Sequence, residues 1–166
     1  ACLYLHGGGK EADAGENGPI AARVAAGQTV LALELRGQGD EALGKLHKNW
    51  FLAYRLGRSY IGMRAEEILA CARWLAAYGE PTKPRAVHLA AVGEPGIAAL
   101  HAAALEPDTF ASVAVRGSLG AWRDLLPAED ASLAHTVNLI HGALRMYDLS
   151  DLSALVMDSI PACRIE

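Results

Sequence analysis

Apolar runs of four to seven residues alternate along this chain with helical patterns and glycine-rich turns. Leu3–His6 is a short apolar run that ends in Gly7-Gly8-Gly9. A polar stretch, Lys10–Asn17, separates it from Pro19–Ala26, which reads as a short helix with Pro19 in its first turn and Gly27 as its stop. Thr29–Leu35 predicts a second buried strand, followed by the turn-rich Arg36-Gly37-Gln38-Gly39-Asp40. Trp50–Leu56 is apolar with no clear period. In Ile61–Tyr78, Ile61, Ala65, Ile68, Leu69, Ala72 and Leu75 recur at helical spacing, and Gly79 ends the pattern. Beyond Pro81 and Pro84, Ala86–Val92 predicts a third strand, Gly96–Leu105 a small-residue helix, and Ser112–Arg116 a fourth strand. Helical pieces are expected around Ser132–Leu139 and Ser150–Val156, with a last strand begun at Ala162–Glu166.

Strand alternating with helix implies an α/β fold, a parallel sheet with helices on both faces. Function in such folds gathers at the carboxyl ends of the strands. Here those ends are His6–Gly9, Arg36–Asp40, Gly93–Gly96 and Arg116–Ser118. The 166 residues suit one domain spanning 1–166. The chain opens directly on a strand without an initiator Met, which points to a partial version of the fold. Hydrophobic residues make up 52%, enough for a sizeable core. A net charge of −4 argues against a nucleic-acid partner, and no apolar run reaches the roughly 18–20 residues that span a bilayer. Cys2, Cys71 and Cys163 are widely spaced and form no zinc-binding pair. No His, Asp and Glu spacing predicts a metal site, and no cofactor motif is present.

Three segments resemble the α/β-hydrolase fold. Leu3-Tyr4-Leu5 followed by His6-Gly7-Gly8-Gly9 is similar to the strand that carries the oxyanion-hole loop. Val30–Leu35 with Arg36-Gly37-Gln38-Gly39 resembles the next strand and its D-x-R-G-x-G loop, with Glu34 as the acidic member. Ala86–Val92 with Gly96-Ile97-Ala98-Ala99-Leu100 resembles the nucleophile strand, elbow and helix. Gly57–Arg64 and His141–Arg145 with Tyr147-Asp148-Leu149 further resemble the acetyl xylan esterase-like branch of bacterial polysaccharide-degrading hydrolases.

The resemblance implies an ester hydrolase, whose chemistry needs a serine on a tight strand-to-helix turn, a histidine, a carboxylate and oxyanion-binding amides. It places Ala91–Gly96 on the G-x-S-x-G-G motif, so the nucleophile position is Gly93, which has no side chain to attack with. A shift of one residue would bring Glu94 to the elbow, a carboxylate nucleophile beside the awkward Pro95. Ser59 in Gly57-Arg58-Ser59-Tyr60-Ile61-Gly62 is a second candidate. Its second glycine comes one residue late and its neighbours are bulky, so a helix N-cap is the ordinary alternative. Ser118 suits turn or cap chemistry, and Asp151 or Ser150 a helix cap. His6 is expected to shape its loop, whose Gly7–Gly9 amides are candidates to bind an anion or carbonyl oxygen. His88 and His101 read as packed residues; His135 and His141 are candidates to approach the cleft. The resemblance carries no histidine or acid of this chain onto a triad role.

Two functions follow. The first is a hydrolase-like domain without its catalytic apparatus, binding a small-molecule or carbohydrate-ester ligand or serving structurally beside a neighbouring domain. The second is an acyl-ester hydrolase with a non-standard nucleophile, or one completed by residues outside this chain. A third use, homo-oligomerisation, would exploit exposed sheet edges.

Overall fold

The described residues form a five-stranded, all-parallel sheet in the order β2-β1-β3-β4-β5. Its strands are β1 (Cys2–His6), β2 (Val30–Leu33), β3 (His88–Val92), β4 (Ser112–Arg116) and β5 (Cys163–Ile165). The computed structural model describes residues 1–39, 42–80, 82–126 and 137–166, and the backbone alone for 42–47. The helices are α1 (Pro19–Ala25), α2 (Ala42–Arg55), α3 (Tyr60–Ala77), α4 (Gly96–Leu105) and α5 (Leu149–Ser159).

The period-2 alternation of the strands sorts the core into two layers. Leu3, Leu5, Leu89, Ala91, Val113 and Val115 face one way and pack under α3, α4 and α5. Cys2, Tyr4 and Ala90 face the other way and meet Ile20 of α1. Helix α4 is buried along most of its length, and its alanines let it lie close between the sheet and its helical neighbours.

Several boundaries differ from the sequence expectation. β2 stops at Leu33 rather than Leu35, because the Leu35 N–H turns away to donate to Gln38 Oε1 at 2.9 Å. Trp50–Arg55 resolves as the end of α2, and Leu56 lies in the turn that follows. Residues 127–136, with most of the helix expected at Ser132–Leu139 and with His135, lie outside the described residues, as do Asp40 and Pro81; Val137 and Asn138 form a turn. Helix α5 is capped by Asp148 instead of Asp151 or Ser150. Asp148 Oδ1 accepts the Leu149 N–H at 2.7 Å, and Asp151 Oδ2 accepts the Asp148 N–H at 2.8 Å, a reciprocal capping box. No helix among the described residues is long and apolar enough to cross a membrane.

The strand order sets where a ligand crevice falls. The chain runs from β1 outward to β2, then crosses back to β3 on the other side of β1. The connections leaving β1 and β3 therefore diverge, and sheets of this order place their ligand crevice at the carboxyl ends of those two strands. These ends are the glycine run after His6 and the turn at Gly93–Gly96.

Candidate functional site

The two loops meet directly. His6 pairs with Val92 at the end of the β1–β3 ladder, and the Gly7 N–H donates to the Val92 carbonyl at 2.9 Å. A Cβ on Gly7 would lie 3.5 Å from the Glu94 nitrogen, so the glycine run passes across the β3–α4 turn.

The β3–α4 turn hinges on a left-handed glycine. Gly93 has φ +76°, a left-handed backbone that side-chain-bearing residues rarely adopt, and a Cβ added there would meet nothing within 4 Å. Its N–H donates to the Arg116 carbonyl at 2.8 Å, tying the turn to the end of β4. Gly96 has the opposite constraint: an added Cβ would lie 2.6 Å from Val115 Cγ1 and 2.7 Å from Ser118 Oγ. Only glycine lets α4 start this close to β4.

Glu94 turns away from attack and into a buried polar network. Its carboxylate accepts from Arg64 Nη1 and from Asn138 Nδ2. Arg64 is 1% exposed and also donates to the Arg36 carbonyl through Nε (3.0 Å) and Nη2 (2.9 Å) and to Asn138 Oδ1 (3.1 Å). Buried Gln38 donates to the His6 carbonyl at 3.3 Å and approaches the second Glu94 oxygen at 3.5 Å. The loops after β1, β2 and β3 are thus held to α3 and to the Asn138 turn through one carboxylate. An ion pair this buried stands only because further hydrogen bonds satisfy both partners. Beside it, Arg36 Nε donates to Glu67 Oε1 at 2.6 Å.

The glycine-run amides are all committed within the loop and its neighbour. Gly7 donates to Val92, Gly8 donates to His6 Nδ1 at 2.9 Å, and Gly9 donates to the His6 carbonyl at 3.0 Å. His6 thus shapes the loop as an acceptor, with its Nε2 3.8 Å from Asp13 Oδ2. The same Asp13 oxygen accepts from the Tyr4 hydroxyl at 2.6 Å. Burial, reinforced by that carboxylate, pushes the Tyr4 phenol up to about 12. Among the described residues the Glu94 N–H has no acceptor, and Pro95 supplies no N–H at all.

Ser59 lies elsewhere. It is the N-cap of α3, where its Oγ accepts the Gly62 N–H at 3.1 Å, and none of the described histidines hydrogen-bonds to it. It borders a cavity of about 870 Å3 between the end of α2, the start of α3 and the segments around Trp122 and His141. Gly93 and Glu94 are not among the described residues that line this cavity. The structure therefore does not bring Ser59 and the β3–α4 turn into one site.

The other candidates divide between packing and polar structure. His88 Nδ1 is 2.8 Å from Ser112 Oγ on the neighbouring strand. His101 is buried between the Ile97 carbonyl (2.7 Å) and the Tyr147 hydroxyl (2.9 Å). Among the described residues the buried Ser118 hydroxyl has no hydrogen-bond partner and neither caps nor braces a turn; it packs against Gly96. Sequence reasoning missed Arg64, Gln38 and Asn138. A charged residue at position 64, inside the apolar stripe of α3, was the available signal.

Comparisons with family models, with curated proteins and with solved structures find no match to this chain.

Proposed function

We propose that this chain is an α/β-hydrolase-like domain, similar to acetyl xylan esterase-like carboxylic-ester hydrolases, that lacks their catalytic apparatus and serves in binding or as a structural unit. The observation that carries this reading is the β3–α4 turn. It stands at the switch point of the sheet with an elbow's left-handed residue, and that residue is Gly93, with open space where a nucleophile would project. Two further facts support it. Glu94 is bonded to Arg64 and Asn138, and the Gly7–Gly9 amides have internal acceptors, leaving a poor oxyanion cradle. A small-molecule or carbohydrate-ester ligand at the crevice, a second copy of the chain or a neighbouring domain is the partner this reading expects.

A second reading, an acyl-ester hydrolase with an unusual nucleophile, draws on Ser59 at the edge of the large cavity. The experiment that separates them is incubation with p-nitrophenyl acetate and with a fluorophosphonate probe. The degenerate domain gives neither turnover above buffer nor covalent labelling. Turnover that disappears in Ser59→Ala or Glu94→Gln overturns it.

A further inference from the structure

The cavity beside α2 and α3 has a lining that selects for a particular chemistry. Its volume, about 870 Å3, falls in the range of small-molecule sites, which run to roughly 1,000 Å3. Two of the chain's three tryptophans, Trp50 and Trp122, line it. Trp50 stacks on Tyr54 with ring centroids 6.1 Å apart, and Tyr54 in turn meets the His141 ring at 5.8 Å. The result is a run of three aromatic rings along the lining, Trp50 and Tyr54 within 19° of parallel and His141 tilted 53° from Tyr54. Apolar side chains that solvent reaches border the same space: Leu126 is 75% exposed, Tyr54 50% and Leu144 47%. Exposed apolar surface concentrated around one concavity marks a ligand site more often than chance packing does.

Among the described lining residues, charge has one sign. Arg58 and Arg145 are among the described lining residues, and no Asp or Glu is, in a chain whose net charge is −4. Arg58 already donates to Glu66 at 2.7 Å. Arg145 forms no ion pair among the described residues. It also borders a smaller recess, but the acids there are engaged: Asp148 by Arg123, Asp151 by the Asp148 N–H. An exposed arginine without an ion pair among the described residues, lining an apolar and aromatic cavity, suits a bidentate planar anion.

We propose that this cavity binds a small aromatic carboxylate, its ring against the Trp50–Tyr54–His141 wall and its carboxylate on Arg145. The inference goes beyond the hydrolase-like reading and uses neither Gly93, Glu94 nor the glycine run, so either can fail alone. The test is calorimetric titration of the full chain with 2-naphthoate, with the neutral 2-naphthamide and with cyclohexanecarboxylate, alongside tryptophan emission. Saturable binding of naphthoate is expected, about tenfold tighter than naphthamide, the factor one good charge-assisted contact supplies. Cyclohexanecarboxylate, which cannot stack, is expected to bind more weakly than naphthoate. Arg145→Gln, at an exposed position that leaves the fold intact by circular dichroism, removes the preference for the acid while naphthamide binding stays unchanged. Equal affinity for naphthoate and naphthamide, a preference that survives Arg145→Gln, equal affinity for the saturated acid, or no saturable binding at millimolar ligand each overturns the proposal.

Discussion

The buried guanidinium of Arg64 lies against the carboxylate of Glu94, bringing a charge from the first turns of α3 to the turn that ends β3. These residues are 30 positions apart, and Asn138, another donor to the same carboxylate, is 44 positions from Glu94. The pair therefore closes the fold across distant segments. Removing one partner of a buried, hydrogen-bonded pair costs about 3–5 kcal/mol. Arg64→Met is expected near the top of that range, since it also strips two donors from the Arg36 carbonyl. Glu94→Gln should cost less, because an amide oxygen still accepts from Asn138. Urea unfolding of both variants and of the double variant measures the coupling; a loss below about 1 kcal/mol for Arg64→Met would show that the pair does not hold the loops.

Gly96 sets local propensity against packing. At the start of α4, alanine should help the helix by at most about 1 kcal/mol. Its Cβ, however, would stand 2.6 Å from Val115 Cγ1, in the core, where little can move. Overpacking of this kind costs about 1–3 kcal/mol, so Gly96→Ala is expected to destabilise. Gly120→Ala, where an added Cβ meets nothing within 4 Å, should change stability by no more than about 0.5 kcal/mol. Paired thermal melts decide the matter, and equal shifts would refute the steric argument.

Much of this architecture is legible in the residues. Leu3–His6, Ala86–Val92 and Ser112–Arg116 are apolar runs each followed by glycine, and each overlaps a strand whose limits lie within two residues of those expected. Trp50–Leu56 was ambiguous for a physical reason: Phe51, Leu52, Tyr54 and Leu56 are apolar yet exposed, which blurs the helical period. The elbow-like turn could be located because glycine and proline mark it locally. Its polar partners could not. Arg64, Gln38 and Asn138 reach Glu94 only through the β2-β1-β3 order, and a single sequence gives no sign that those segments converge.

Asp148 ties the start of α5 to the segment after β4. It accepts from the Trp122 N–H at 2.6 Å, from Arg123 Nε at 2.6 Å and from the Leu149 N–H. Burial raises its pKa, but the Arg123 hydrogen bond and the backbone donors outweigh that and hold it below the ordinary value. A depressed folded pKa contributes stability above the unfolded value, about 3.9, that is lost as pH falls through the folded one. Asp148→Asn is therefore expected to unfold more readily at neutral pH and to lose less stability than the parent on acidification below about pH 4. Asparagine keeps a capping oxygen, so the loss at neutral pH comes from the carboxylate's bonds to Arg123 Nε and the Trp122 N–H. Urea unfolding at neutral and acid pH reads both effects, and parallel losses in the two proteins would remove Asp148 as their source.

His101 supplies a separate acid sensitivity at milder pH. The Ile97 carbonyl can only accept, so Nδ1 carries the proton and Nε2 accepts from the Tyr147 hydroxyl. Burial lowers the imidazole pKa, opposed in part by the Ile97 hydrogen bond. Between the unfolded value, about 6.5, and the depressed folded one, the unfolded chain binds a proton that the folded chain refuses. Stability therefore falls as pH drops through that window. His88, also depressed by burial and by the N-terminal ammonium, acts in the same direction. His101→Phe keeps a ring against Trp122 and removes the titrating group. Its melting temperature is expected to depend less on pH between about 7 and 5 than the parent's, with the remaining slope reduced again by His88→Asn. Equal slopes for parent and His101→Phe over that interval would mean that the buried imidazole takes up its proton without opposing the fold.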